Sequence, residues 1–271
     1  DRLGMDPTAL VQFSSALSCP QGMILVTGPT GSGKTVTLYS GLRQLNDAQS
    51  NLCSVEDPIE IPLFGINQTQ TNAKTELDFS RVLRALLRQD PDVIMIGEIR
   101  DRETAEIAVK AAQTGHLVLS TLHTNSTSET LTRLTHMGIP GYLIAACLKL
   151  VIAQRLVRKL CSHCRYQQSQ PVRFPAAICE TPLLPWKADG CEHCFSGYYG
   201  RTGVYELLTI TPEVQAGLLE GAAPSMLAEI ARQQGQTTLL QAGLTLVAQG
   251  VTSLEEVYRI VGIIADGGGA Q

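Results

Sequence analysis

The octapeptide Gly28-Pro29-Thr30-Gly31-Ser32-Gly33-Lys34-Thr35 constrains this chain more than any other stretch. It fits the pattern G-x-x-x-x-G-K-[ST] in the setting where that pattern has a mechanism. Ahead of it, Gly22-Met23-Ile24-Leu25-Val26-Thr27 reads as a short buried strand. Behind it, Leu38, Leu42 and Leu45 recur at helical spacing between Lys34 and Leu45. A strand, a glycine loop and a helix in succession turn backbone N–H groups inward around an anion, and the helix start adds partial positive charge. In such a loop Thr30, Gly31, Ser32 and Gly33 cradle phosphates, Lys34 reaches the β- and γ-phosphates and the Thr35 hydroxyl ligates Mg²⁺. The alternative is a glycine-rich turn before an ordinary helix.

At 271 residues the chain has room for one large domain or two smaller ones, and its 44% apolar content supplies an ample core. Charged residues make up 17%, below the average of about 25%, so much surface is expected to be buried against something else, as in a ring. The net charge of −4 weighs against a sequence-independent grip on nucleic acid. There is no 18-residue apolar run and no opening signal peptide, so a soluble, intracellular chain is expected, with membrane contact only through partners. Because the chain opens on Asp1 rather than Met, it is expected to be a piece lacking upstream sequence.

Leu10, Val11, Phe13 and Leu17 mark an amphipathic helix before the first strand. A second strand, Leu52 to Val55, leads into Glu56-Asp57-Pro58-Ile59-Glu60, and acids at strand ends face the ligand crevice of an open α/β sheet. A solvated acidic turn is the plainer reading. Phe79, Val82, Leu83, Leu86 and Leu87 mark a helix face, with Arg81, Arg84 and Arg88 opposite. That stripe is either the wet side of the helix or a contact for phosphate or a neighbour. Asp92-Val93-Ile94-Met95-Ile96-Gly97-Glu98 is a fully buried parallel strand ending in an acid, the Walker B arrangement with Gly97 where an Asp is usual. Glu98 then either orients the attacking water or holds Mg²⁺ through water, and Asp57 or Glu60 takes the other task. Leu117 to Thr121 is a further strand; of the histidines flanking it, His123 at the C-terminal end is the better γ-phosphate sensor and His116 lies at the wrong end. Ala145 to Leu156 is expected to continue an apolar helix.

The composition then changes. Cys161-Ser162-His163-Cys164 and Cys191-Glu192-His193-Cys194 are two C-x₂-C hooks 26 residues apart. Four thiolates in paired hooks suit tetrahedral Zn²⁺, which would hold a proline-rich segment that cannot pack unaided. Two disulfides are the alternative, disfavoured inside a cell. Cys19, Cys53, Cys147 and Cys179 read as ordinary buried thiols. Gly197 to Gly203 is a glycine-rich turn before a strand, Val204 to Leu208. Short helices follow near 212–219, 226–233, 239–249 and 254–261, the last capped by Thr252 or Ser253, and a disordered tail is expected at Gly267-Gly268-Gly269. The fold class is therefore α/β, a P-loop core with a mostly parallel sheet, then a small zinc module and a helical subdomain, divided at 1–158, 159–203 and 204–271.

Together these stretches resemble the hexameric ATPases of type II secretion and type IV pilus assembly. The matches are 28–35, Val-Glu-Asp-Pro-Ile-Glu at 55–60, Leu87 to Asp101 and Thr114 to Asn125, which look like that family's Walker A, Asp box, Walker B and His box in order. The Gly97-Glu98 pair is itself a family trait, and the tetracysteine module fits the assembly and export branch. The resemblance implies a RecA-like core in a cytoplasmic homo-hexamer beneath an inner-membrane platform protein, using ATP, Mg²⁺ and Zn²⁺ to add pilin or pseudopilin subunits. It also implies an upstream domain whose arginines complete the nucleotide site. Catalytic roles would fall to Glu98, Asp57, Glu60 and His123, with Arg100 and the arginine stripe signalling to a neighbour. Val36 departs from the family's usual Thr, and Asn72 to Leu77 lacks a glycine common there. Two other readings stand beside this one: a conjugation-type nucleic-acid translocase, against which the acidic balance weighs, and a nucleotide-gated scaffold without turnover.

Overall fold

The structure is a computed structural model that describes residues 3–262; the Gly267–Gly269 tail lies outside the described residues. The strands are β1 (Gly22–Thr27), β2 (Leu52–Glu56), β3 (Asn67–Gln70), β4 (Val93–Ile96), β5 (Leu117–Leu122), β6 (Leu148–Leu160), β7 (Arg165–Gln167), β8 (Trp186–Ala188) and β9 (Tyr198–Thr209). The helices are α1 (Pro7–Leu17), α2 (Lys34–Leu45), α3 (Phe79–Leu86), α4 (Arg102–Gln113), α5 (Thr127–His136), α6 (Gly141–Cys147), α7 (Pro212–Leu219), α8 (Pro224–Gln233), α9 (Leu239–Ala248) and α10 (Leu254–Val261). Seven strands form one sheet in the order β3-β2-β4-β5-β1-β6-β9, and β7 pairs with β8. The pairs β2–β3, β2–β4, β4–β5, β1–β5 and β1–β6 are all parallel. No described helix is long and apolar enough to cross a membrane.

Two compact units emerge, and neither is one stretch of chain. Among the described residues the larger comprises 5–154 and 206–236, and the smaller comprises 3–4, 155–205 and 237–262. In the larger unit β1, β2, β4 and β5 are buried along their whole lengths, as expected of parallel strands covered on both faces. Their continuous apolar runs leave no wet face. The helices begin where short polar side chains can satisfy orphan amides: Asp78 accepts from Arg81 N–H, Asp101 from Thr104 N–H and Ser126 from Glu129 N–H. Ile94, Ile96, Val118, Leu83 and Ala108 belong to one core of this unit, which is therefore a rigid base for the strand ends.

The expected helix over Ala145 to Leu156 is a correction. Helix α6 stops at Cys147, and the chain continues as the 13-residue strand β6. A short apolar run has no period that separates buried helix from buried strand. Here Ile152 registers against Val26 and Val151 against Leu25, so β1 supplies the partner that a sequence pattern does not reveal. The strand expected at Val204 to Leu208 is likewise longer, running Tyr198–Thr209. At Asn72 to Leu77, where a glycine is wanting, Glu76 adopts the left-handed conformation at φ 55° beside a short 3₁₀ turn at Ala73–Thr75.

The smaller unit has its own core of Leu183, Leu240, Leu244, Val247 and Val257. Helix α9 opens with a capping box between Thr238 and Gln241, and Ser253 caps α10 by accepting from Glu256 N–H. The Glu256 carboxylate is buried and accepts from Arg158 N–H at 2.9 Å, Arg158 Nη2 at 2.8 Å and Arg259 Nη2 at 2.6 Å. Burial alone would raise this carboxyl, but the Arg259 and Arg158 hydrogen bonds hold it down to about 2. Its folded value lies below the ordinary 4.5, so its stabilisation is complete above that pH and fades as pH falls toward about 2. Glu256→Gln is expected to cost about 3 kcal/mol in urea unfolding at pH 7, because two arginines lose their buried partner. Equal stability of variant and parent at pH 7 would contradict this.

Candidate functional site

The glycine loop leaves β1 and enters α2, with Gly28, Gly31 and Gly33 at φ 151°, 79° and 87°. These positive values bend the backbone tightly, and no β-carbon obstructs Gly31, where added bulk would meet nothing within 4 Å. Ser32 N–H donates to Pro29 O at 3.2 Å, which closes the turn. Lys34, 9% exposed, donates from Nζ to Gly28 O at 2.8 Å and Pro29 O at 3.1 Å. Ser32 Oγ is buried and, with Trp186 Nε1, is one of two such side-chain atoms among the described residues with no hydrogen-bond partner in the protein. An orphaned hydroxyl inside a ring of amides and an ammonium suits a phosphate oxygen. Thr30 and Gly31 lie exposed at the tip, and Val36 is exposed on the first turn of α2.

Three strand ends bring acids and a histidine to this loop. Thr35 Oγ1 donates to Glu60 Oε1 at 3.1 Å, a hydroxyl–carboxylate pair of hard oxygens of the kind Mg²⁺ takes. Glu98, two residues beyond β4, lies 3.4 Å from His123 Nε2 and pairs with Arg100. Asp57 is exposed and makes no hydrogen bond to Thr35; with Glu98 it contributes to holding the Arg100 guanidinium above its usual value, the Glu98 hydrogen bond being the largest cause. His116 is tied away from the site, its Nδ1 3.0 Å from Ala111 O. The ends of β1 and β5 are laced together: Thr27 Oγ1 accepts from Thr124 N–H at 2.8 Å and lies 2.6 Å from Thr124 Oγ1. That stitch fixes the residue next to His123 against the start of the glycine loop. Two of the three stripe arginines are engaged with surface acids, Arg81 with Glu76 at 3.1 Å and Arg84 with Glu103 at 2.6 Å.

The glycine at the Walker B position has a steric reason. A β-carbon on Gly97 would stand 3.3 Å from Val55 O and 3.4 Å from Glu56 Cα. Gly97 N–H donates to Val55 O at 2.8 Å, and Gly97 O accepts from Thr121 Oγ1 at 2.7 Å, so the backbone is pinned between neighbouring strands.

In the smaller unit the four hook cysteines converge. Their Sγ atoms all lie within 4.8 Å of one another, with Cys161–Cys191 and Cys164–Cys194 at 3.8 Å and Cys191–Cys194 at 3.7 Å. A tetrahedron with metal–sulfur bonds of about 2.3 Å has sulfur–sulfur edges of about 3.8 Å, so the set fits Zn²⁺. Disulfide bonds of about 2.0 Å do not fit these separations, and all eight cysteines are free. His163 and His193 are both exposed, with ring centroids 4.4 Å apart and planes tilted by 40°. Cys53 and Cys147 are buried, and burial pushes the Cys147 thiol up to about 11; Cys19 and Cys179 are only half-buried, a correction to their reading as buried thiols.

A parallel sheet whose glycine loop opens a helix beside strand ends bearing Glu98 and His123 defines a P-loop nucleotide-binding fold. The family described as "Type II/IV secretion system protein" matches residues 1–259, and the chain belongs to it. It is 59% identical over 261 residues to the protein transport protein HofB homolog of Escherichia coli (strain K12), covering 96% of this chain and 57% of that one. It is 53% identical over 266 residues to the type IV pilus assembly ATPase PilB of Pseudomonas aeruginosa, covering 96% and 47%. It is 48% identical over 263 residues to the type II secretion system ATPase E of Vibrio cholerae serotype O1, covering 95% and 52%. Thus the chain spans about half the length of these relatives. Among solved structures it is similar to the pilus retraction motor PilT with bound ADP, at TM-score 0.71 and 30% identity over 95% of this chain and 65% of that one. The Legionella pneumophila ATPase DotB gives 0.69 and 25% over 96% and 64%.

Proposed function

We propose that this chain is the ATP-hydrolysing part of a motor for type II secretion or type IV pilus assembly, working as a homo-hexamer with upstream domains and an inner-membrane platform protein. The observation that carries this reading is the hydrogen bond from Thr35 to Glu60 in the same site as the Glu98–His123 pair. Phosphoryl transfer needs positioned phosphates and compensated charge more than covalent chemistry. Thr30, Gly31, Ser32 and Gly33 would hold the phosphates through the loop, with Lys34 on the β- and γ-phosphates. Thr35 and Glu60 would hold Mg²⁺, which supplies charge neutralisation at the phosphate oxygens. Glu98 would polarise the attacking water, Asp57 would share metal or water contacts, and His123 would sense the γ-phosphate. Cys161, Cys164, Cys191 and Cys194 would hold structural Zn²⁺. The relatives' printed names, PilB and ATPase E, support the assembly and secretion reading.

The test is ATP binding and phosphate release by the protein with its upstream region, with Mg²⁺ and with EDTA, beside Lys34→Ala. Lys34→Ala is expected to weaken ATP binding by a factor of at least about 100, since it removes the only ammonium in the loop. Metal-independent turnover, or wild-type affinity in the variant, would sink the reading.

A further inference from the structure

Behind the loop that carries Glu60 lies a buried acid to which the proposed chemistry assigns no task. Glu56 ends β2 and is 2% exposed. Its Oε2 accepts from the Tyr39 hydroxyl, and its Oε1 accepts from Ser54 Oγ at 2.6 Å and Gln68 Nε2 at 3.0 Å. A carboxylate withdrawn from water persists only when its oxygens are satisfied, and two of these three donors come from other elements. Tyr39 is on α2, one turn after Thr35, so the two residues share a face of the helix. Burial first, then the Glu56 carboxylate, pushes the Tyr39 phenol up to about 12, while the backbone N–H groups of Ile61 and Glu60 act in the opposite sense. Tyr39 thus ties α2 to Glu56, and through Glu56 Oε1 to Gln68.

Gln68 meets that loop from the sheet side. Its Oε1 accepts from Leu63 N–H at 2.7 Å and its Nε2 also donates to Ile61 O at 3.1 Å. Gln70, two residues on and on the same face of β3, accepts from Ile59 N–H at 3.3 Å. An edge strand has no need to turn its glutamines back onto a loop, and solvent would serve them equally well. What the arrangement achieves is a fixed spacing between α2 and residues 59–63.

We propose that Tyr39 and Gln68, joined through the Glu56 carboxylate, are positioning residues that hold Glu60 at the Thr35 hydroxyl and so set the affinity of the site for the divalent cation bound with ATP. This rests on the P-loop ATPase reading above. The test uses the protein with its upstream region, a fluorescent ATP analogue, and Mg²⁺ titrated into the binding reaction. In Tyr39→Phe and in Gln68→Ala the Mg²⁺ concentration giving half-maximal enhancement of binding is expected to rise about 10-fold, as for other residues that orient metal ligands, with affinity in EDTA unchanged. Adding Tyr39→Phe to Glu60→Gln is expected to change nothing further, because the residue being positioned has gone. Wild-type Mg²⁺ dependence in both single variants, whatever their melting temperatures, would overturn the inference, as would full additivity with Glu60→Gln. Mg²⁺-dependent binding without turnover in the parent would defeat the motor reading yet still decide this one; no Mg²⁺-dependent binding in the parent would defeat both.

Discussion

Glu98→Gln is expected to lower Mg²⁺-dependent phosphate release by at least about 100-fold while leaving ATP affinity within a few-fold of the parent. The side chain of Glu98 is 13% exposed, pairs with Arg100 and lies 3.4 Å from His123 Nε2. Glutamine keeps the shape and one acceptor but loses the charge that polarises water. Glu98 stands beyond β4 and outside the glycine loop, so the grip of Lys34 and Thr35 on phosphate should survive. The matched experiment is Glu60→Gln, which should instead raise the Mg²⁺ requirement. If Glu98→Gln turned over normally and Glu60→Gln did not, the two acids would have to exchange roles. Single-turnover and binding measurements on both variants separate these outcomes.

The second large effect concerns the tetracysteine cluster. One zinc per chain is expected by elemental analysis, and Cys161→Ser with Cys191→Ser should remove it. Structural zinc contributes on the order of 10 kcal/mol to the folding of small modules, far more than the segment between the hooks can supply from packing. That segment buries Leu183 and Pro185 and has two short strands of three residues each, Arg165–Gln167 and Trp186–Ala188. Rapid proteolysis between residues 164 and 191 after strong chelation, and protection restored by Zn²⁺, is the expected result. A chain equally protected without metal would show that Leu183 and its neighbours suffice. Because thiolates rather than thiols bind, the protection should also weaken as pH falls.

Those two sites were legible in the sequence for the same reason: each is a local spacing with a chemical requirement. Glycines at 28, 31 and 33 turn a loop by themselves, and two C-x₂-C hooks need only to meet. Helix caps were equally readable, as Ser253 at the start of α10 shows. Strand β6 was not, because its apolar run is helix and strand alike until β1 lies alongside. Glu56, Tyr39 and Gln68 were hidden for a different reason. Their hydrogen bonds join residues 12 and 17 apart in sequence through the β2–β3 register and the position of α2. An acid inside an apolar strand four residues before Glu60, and a tyrosine four residues after Thr35, were the available signals.

The closeness of Gly97 to β2 also bears on how this site can change. With Val55 O 3.3 Å from where a β-carbon would sit, a side chain at position 97 requires the β2 backbone to give by a few tenths of an ångström. A second acid beside Glu98 is therefore gained only with a small adjustment against β2, the strand that ends in Glu56. Acids are more easily accommodated in the loop after β2, where Asp57 and Glu60 are exposed. The close spacing at Gly97 thus favours dividing the acids between the ends of two strands.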